Sequence, residues 1–592
     1  MPHRRVRSLA VLTALAATQF VIASTAPGQE ASRQRSHDVR VSPDDTPGSY
    51  TRLGGSPDPV HEACATRRRP QVEPSVAVNP RKPRVIAVGA MDACIAVRSP
   101  VPLAQAQNWG ALYRSFDRGR TWRASLMPGY QGYPNASTGE CVQQADPTLA
   151  FDKSGRLFYG SLCPIFDGAT PRDFEIAVST FDRNGRRYRR TTRVDIPLAA
   201  EPDQDFASDK PNLVVDRSRS RHSGNVYVAW SHCRRLGVAP CVRYQGDAVV
   251  RVARSTDHGR TFSSPVTIRP SNLPLPFFSD LAVGPDGEVY LTFKVDRLPD
   301  DGGPEIWLAR SRDGGRSFSR ARLVQRIDPF DSSQFSGRPP LGAPSDCGDG
   351  PFACPSEFDF PQFRSFSAVT ADRTGVHLAW GARTPSGQGK VFVRNSPNGI
   401  RWPRRPVALD SVDRGHQWWP DIASARGVVS AVFLDSRRDP AYAPDLPPGN
   451  TAAGISSGAV VDAYVAQSRD GGRTWRNRRL SSAPSAPNFE TYLDARQPWR
   501  GDYVYVSAVQ RGSFAVWPDS RDVVPGADTR PDSDDDGFDV FAPCDWTPNT
   551  VDGSYTEPAP SDPCLDQGGL DVNVYGSRLP KRKRVKGPSQ GP

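Results

Sequence analysis

The chain contains no C-x-x-C pair and no H-E-x-x-H, and after its opening residues no apolar run long enough to cross a bilayer. The first absence removes zinc-ribbon and thioredoxin-like readings. The second leaves the eight histidines without metal-ligand spacing. The third predicts no membrane span. Sustained 3.6-residue apolar periodicity is missing too, which excludes a helical bundle. Positive charge is scarcer than the formal +11 suggests, because three arginines open the chain and five basic residues sit in its last stretch, "KRKRVKGPSQGP". The body keeps only +3, so no nucleic-acid partner is expected. No organic cofactor is expected either.

What is present is turn chemistry. With 50 Gly and 58 Pro, the body reads as all-β. Arg4, Arg5 and Arg7 before "SLAVLTALAATQFVIA" read as a signal peptide over 1–23, which predicts a secreted protein. Residues 24–60, rich in Ser, Pro, Asp and Gly, read as a disordered linker, and 581–592 as a basic disordered tail. The ten cysteines suit an oxidising compartment.

Between these ends, two phrases alternate. The first is a hairpin of apolar strand, polar turn and apolar strand, as in "PTLAFDKSGRLFYGSL" (147–162) and "DLAVGPDGEVYLTF" (280–293). Seven copies occur, from "PSVAVNPRKPRVIAVGA" (74–90) to "DYVYVSAVQRGSFAVWPD" (502–519). The second is charged: "RSFDRGRTWRA" (114–124), "RSTDHGRTFSS" (254–264), "RSRDGGRSFSR" (310–320) and "QSRDGGRTWRN" (467–477). Worn copies are "VSTFDRNGRRY" (178–188) and "VRNSPNGIRW" (393–402), where Pro397 stands for the Asp. After the seventh hairpin, "DVFAPCDW" (539–546) reads as a third strand without the phrase. Four antiparallel strands per repeat, at a period near 70 residues, predict a seven-bladed β-propeller over 61–580, with six blades as the alternative.

In the charged phrase, Asp117, Asp257, Asp313 and Asp470 can accept backbone N–H groups across a turn, and the Gly permits a positive φ. Trp122, Phe262, Phe318 and Trp475 would fill apolar space between strands or blades. The pattern resembles the Asp-box, or BNR repeat, of the sialidase-like propellers. The resemblance implies structural turns on the face away from the ligand. It also implies, for a sialidase, three arginines on a carboxylate, a Tyr–Glu nucleophile pair and an Asp acid. The run that would supply the first arginine reads "VEPSVAV", with Val72 in that arginine's place and Glu73 after it.

Strand order sends the long connections (92–111, 124–145, 319–362, 435–460 and 519–538) to the face opposite the charged turns, where a site belongs. All ten cysteines fall beside these connections or in the terminal segments. Cys64 with Cys94 and Cys141 with Cys163 flank the first two hairpins, and Cys233–Cys241, Cys347–Cys354 and Cys544–Cys564 are local pairs. A ring of acids, Glu73, Asp146, Asp209, Asp280, Asp421 and Asp502, precedes or opens the first strands. They could divide acid and base roles, with Asp146 and Asp209 the candidate catalytic pair of a glycoside hydrolase, or brace neighbouring blades. Asp280, Asp421 and Asp502 are candidate ligand contacts, as are Arg437 and Arg521 of two D-S-R triplets. "DSDDDG" places Asp532, Asp534 and Asp536 at calcium-loop spacing, although Pro543 occupies the position of an EF-hand glutamate. The expectation is a monomer that binds an extracellular glycan or cell-wall polymer, the alternative being a hydrolase acting through the inner acids.

Overall fold

A computed structural model describes residues 38–43, 70–93, 109–130, 141, 144–167, 170–194, 206–234, 248–268, 276–295, 303–328, 367–444, 448, 450–451, 454–455, 459–486, 500–523 and 572–580. Seven antiparallel sheets follow one another along the chain. Their inner strands are Gln71–Val78, Ala145–Phe151, Phe206–Val215, Pro276–Val283, Ala368–Asp372, Gln417–Ala425 and Tyr505–Val509. Each inner strand packs beside the next, and the seventh packs beside the first. The ring therefore closes with seven blades, not six.

Closure uses a segment that the sequence reading assigned to a linker. Val39–Arg40 forms the outer strand of the seventh blade, paired with Asn573–Arg578. The buried Ser42 hydroxyl donates to Asn573 Oδ1 at 2.8 Å and accepts the Val574 amide at 3.1 Å. Two residues of strand are too short to show a period, which is why composition pointed to a linker. The third strand of this blade is Asn573–Arg578 rather than 539–546, which lies outside the described residues. The seventh sheet thus joins the two ends of the ring.

The charged phrases share one geometry. In the first blade, Asp117 Oδ1 accepts the amides of Arg120 at 2.9 Å and Thr121 at 3.0 Å, and Oδ2 accepts the Thr121 hydroxyl at 2.7 Å. Ser115 Oγ donates to the same carboxylate at 2.8 Å and accepts the Gly119 amide at 2.7 Å. Asp257, Asp313 and Asp470 repeat the pattern. Gly119, Gly259, Gly315 and Gly472 hold φ between 76° and 85°, where a side chain is strained. The worn copy at 396–402 corrects the reading of Pro397: the amides of Ile400 and Arg401 bond Asn398 Oδ1 at 2.9 and 3.1 Å, so Asn398 does the work of the carboxylate one position later.

Each turn then locks two blades. Trp122 lies 5.7 Å from the Phe514 ring of the seventh blade. Phe262, Phe318 and Trp475 pack on the clusters between their own blades and the preceding ones. The Arg118 amide bonds the Arg84 carbonyl, which places the charged turns at the same end as the turns leaving the inner strands. The Cys141–Cys163 disulfide, Cα–Cα 5.2 Å, joins the segment before the second inner strand to the end of that blade's second strand, at the opposite end. The side chains of the other eight cysteines fall outside the described residues, as do residues 1–23 and 581–592.

Candidate functional site

Five inner strands enter the ring through the same irregularity. Glu73, Asp146, Lys210, Phe278 and Trp419 have φ of 49° to 52°, and strand register shifts at each. These are bulges in which a non-glycine residue adopts the left-handed region, a strained arrangement common at functional sites. The sequence signal is a triplet in which Pro, or Ser in the fourth blade, is followed by a polar residue: E-P-S, D-P-T, K-P-N, F-S-D and W-P-D.

The triplets split the six-acid ring into two layers. The third position reaches sideways: Ser75 Oγ accepts the Leu149 amide at 3.2 Å, and Thr148 Oγ1 accepts Leu213 at 2.9 Å. Asp280 and Asp421 occupy this position and accept the amides of Val369 and Val506 of the next blade, each at 2.6 Å. They brace blades. The first position reaches the axis: Glu73, Asp146 and Lys210 converge there, joined by Asp502 of the seventh blade. Lys210 Nζ lies 2.9 Å from Glu73 Oε1, 2.7 Å from Asp146 Oδ1 and 2.7 Å from Asp502 Oδ2. The Tyr503 hydroxyl stands 3.4 Å from both Glu73 and Asp146. A cation does sit among the acids, and it is the ammonium of Lys210, which sequence reasoning passed over because it looked only for acids. Its place in the K-P-N triplet was the available signal.

Burial sets the protonation. It pushes the Glu73 carboxyl well above its ordinary value, helped by the charge of Asp146 and opposed by Lys210. Burial and Asp146 together raise Asp209 to about 7. Burial works against the Lys210 ammonium, but Asp146, Asp502, Glu73 and Asp209 outweigh it and keep the group charged. Desolvation also raises Asp280 to about 7, against its two backbone hydrogen bonds.

Asp146 and Asp209 stand within hydrogen-bonding reach of one another. A hydrolase needs its two carboxyl groups roughly 5–9.5 Å apart on either side of the scissile bond. This pair has no room for one. Arg437 and Arg521 are held by their own triplets. Arg437 Nη2 lies 2.5 Å from Asp435 and 2.7 Å from Asp410, with its guanidinium 4.1 Å from the centre of the Tyr464 ring. Arg521 lies 2.6 Å from Asp519 and 2.8 Å from Asp38, over Tyr575. Both arginines have the bracing geometry. Trp418 and Trp419 are buried between the sixth and seventh blades.

The axial mouth above this cluster has a volume of about 40 Å³ and is lined by Asp146, Lys210, Asn212, Asp280, Asp421, Tyr503 and Tyr505 among others, with no arginine among the described residues. Such a space admits a hydroxyl or an amine with a few waters, not a sugar ring. Asp532, Asp534 and Asp536 lie outside the described residues, and among the described residues no His, Cys, Asp and Glu group is arranged to hold a metal. Among them, no helix is long and apolar enough to cross a membrane.

No family model and no curated protein matches the chain. Solved structures do. A Hadza microbial sialidase aligns at 13% identity and TM-score 0.39, covering 74% of this chain and 72% of its own. A sialidase of Trypanosoma rangeli aligns at 11% and 0.39, covering 82% and 72%. An alpha-L-arabinofuranosidase of Fusarium graminearum, in complex with an iminosugar inhibitor, aligns at 12% and 0.36, covering 67% and 92%. These likenesses are distant. The seven-bladed assignment rests on the strand pairing itself.

Proposed function

We propose that this chain is a secreted, monomeric propeller that binds an extracellular glycan or cell-wall polymer on its loop-rich face without cleaving it. The observation that carries this reading is the Lys210 cluster. Buried carboxyls and one ammonium converge on the axis at the mouth, where they can accept and donate hydrogen bonds to the hydroxyls or amine of one ligand unit. Among the described residues the lining holds no arginine, which favours a neutral or amino sugar over an acidic one. The contact between Asp146 and Asp209 argues against the hydrolase alternative. The Cys141–Cys163 disulfide suits secretion.

A glycan array beside a panel of chromogenic glycosides tests the reading. The parent should bind neutral or amino sugars, Lys210→Met should lose them while remaining folded, and no glycoside should be cleaved. Hydrolysis abolished by Asp146→Asn would decide for the enzyme. Calcium at Asp532, Asp534 and Asp536 belongs to the same proposal. Thermal stabilisation by calcium should disappear on Asp534→Ala, and a parent indifferent to calcium would remove it.

A further inference from the structure

The opposite end of the axis has the opposite character. Below the acid cluster the ring encloses a channel of about 990 Å³, bounded at its lower end by the turns that follow the inner strands. Arg81, Lys153, Arg217, Arg373 and Arg426, one from each of five blades, line that end. The acid among them, Asp372, is engaged by the Thr374 amide at 2.7 Å and by the Thr374 hydroxyl at 2.5 Å. Among the described residues, no carboxylate pairs with any of the five cations. Lys153 Nζ donates to the Ser218 carbonyl and, at 2.9 Å, to Ser223 Oγ, and Arg426 donates to the Gln510 carbonyl at 3.4 Å. These bonds position the heads and leave their charge uncompensated.

Two further observations point to an anion. Arg217 is half-buried in the channel wall, and this partial desolvation lowers its pKa. A desolvated guanidinium without a counter-ion is costly, and an oxyanion would offset that cost. At the same end of the ring, Arg120, Arg260, Arg316 and Arg473 each follow the glycine of a charged turn and are exposed, while the turn's own Asp is taken up by backbone amides and hydroxyls. The low net charge of the body therefore conceals a basic face.

We infer that the turn-side mouth of the channel is a binding site for a linear phosphate-bearing polymer, with a chain-end phosphate drawn into the ring of five cations. Guanidinium forks match phosphate oxygens bidentately, and cations from several blades around one opening suit successive charges on a chain. The site is independent of the glycan reading, being built from other residues at the other end of the axis.

Binding of inorganic polyphosphate to the full chain, measured by calorimetry at physiological ionic strength, tests it. The triple variant Arg81→Gln, Arg373→Gln, Arg426→Gln should weaken binding at least roughly tenfold and flatten its salt dependence. The triple variant Arg120→Gln, Arg316→Gln, Arg473→Gln, on the surrounding turns, should weaken it less than about threefold. Thermal melts establish that both variants are folded. Three results would overturn the inference: a parent that does not bind, equal losses in both variants, or heparin or polygalacturonate bound as tightly as polyphosphate.

Discussion

The two ends of the propeller use the same residue in opposite ways. At the charged turns, burial pushes the Asp117 carboxyl up, but the amide and hydroxyl of Thr121, with Ser115 and Arg120, together outweigh it and hold it at about 2. Asp257 behaves alike. Among the inner-strand acids, Asp280 of the bracing layer also accepts two backbone amides, at 2.8 and 2.6 Å, yet burial raises it to about 7. Counting hydrogen bonds does not give the direction; access to water does. The turn acids are fixed as anions and serve shape. Asp209 and Asp280, buried on the inner strands, sit near neutrality, where a small change in their surroundings can decide their charge.

The largest test of this contrast removes the cation. Lys210→Met leaves Glu73, Asp146 and Asp502 without their ammonium and should cost about 3–5 kcal/mol at pH 8, read from urea unfolding. The loss should shrink at pH 5, because Asp209, raised to about 7 by burial and Asp146, then carries a proton and repels less. An equal loss at both pH values would mean that Lys210 acts through packing alone.

Asp280→Asn probes the bracing layer next. The folded carboxyl titrates near 7 and the unfolded one near its ordinary 3.8, so the folded state binds the extra proton between those values. The contribution of Asp280 to parent stability is therefore greatest below about pH 4 and declines as pH rises towards 7, by at most about 4 kcal/mol. Asparagine cannot titrate, but its amide turns a donor towards Val369 N–H, a loss of about 1 kcal/mol. The variant should be less stable than the parent at pH 4 and more stable at pH 8. Parallel pH curves without a crossing would show that Asp280 is not held near neutrality.

Much of this fold was legible because the repeat is written in turn chemistry. S-x-D-x-G-x-[TS] specifies its own hydrogen bonds within a few residues, so local sequence suffices. Lys210 was illegible for the converse reason: its partners come from three blades, at separations of 64 residues and more. Only aligning the bulge triplets places Lys210 in the column of Glu73 and Asp146 and moves Asp280 and Asp421 to the bracing column. The closing strand Val39–Arg40 is shorter than any periodicity can register, and its pairing is set by Asn573–Arg578 at the far end of the chain.

On the turn side, Asp117→Ala should cost about 1 kcal/mol, since it leaves the Arg120 and Thr121 amides to water at an exposed site. The sign of its pH dependence is reversed relative to Asp280. A carboxyl lowered to about 2 contributes fully above the unfolded value near 3.8 and loses its contribution as pH falls towards 2. The gap between parent and variant should stay constant from about pH 5 to 9 and close below about pH 4. A gap that instead varied around neutrality would put the turn acids in the same class as the buried inner-strand ones.

The smallest expected effect is a gain. Asn398 already accepts the Ile400 and Arg401 amides in the worn turn, so Asn398→Asp adds charge to bonds that exist. Charge-assisted acceptance strengthens such bonds, which predicts an increase of roughly 0.5 kcal/mol in urea unfolding at pH 7. The increase is capped because the hydroxyl that meets the second carboxylate oxygen elsewhere, on Thr121, Thr261, Ser317 and Thr474, is absent where Arg401 stands. Adding Arg401→Thr should therefore yield more in the Asn398→Asp background than in the parent. A double-mutant cycle returning no coupling would show that the second oxygen, and with it the carboxylate, is dispensable to the turn.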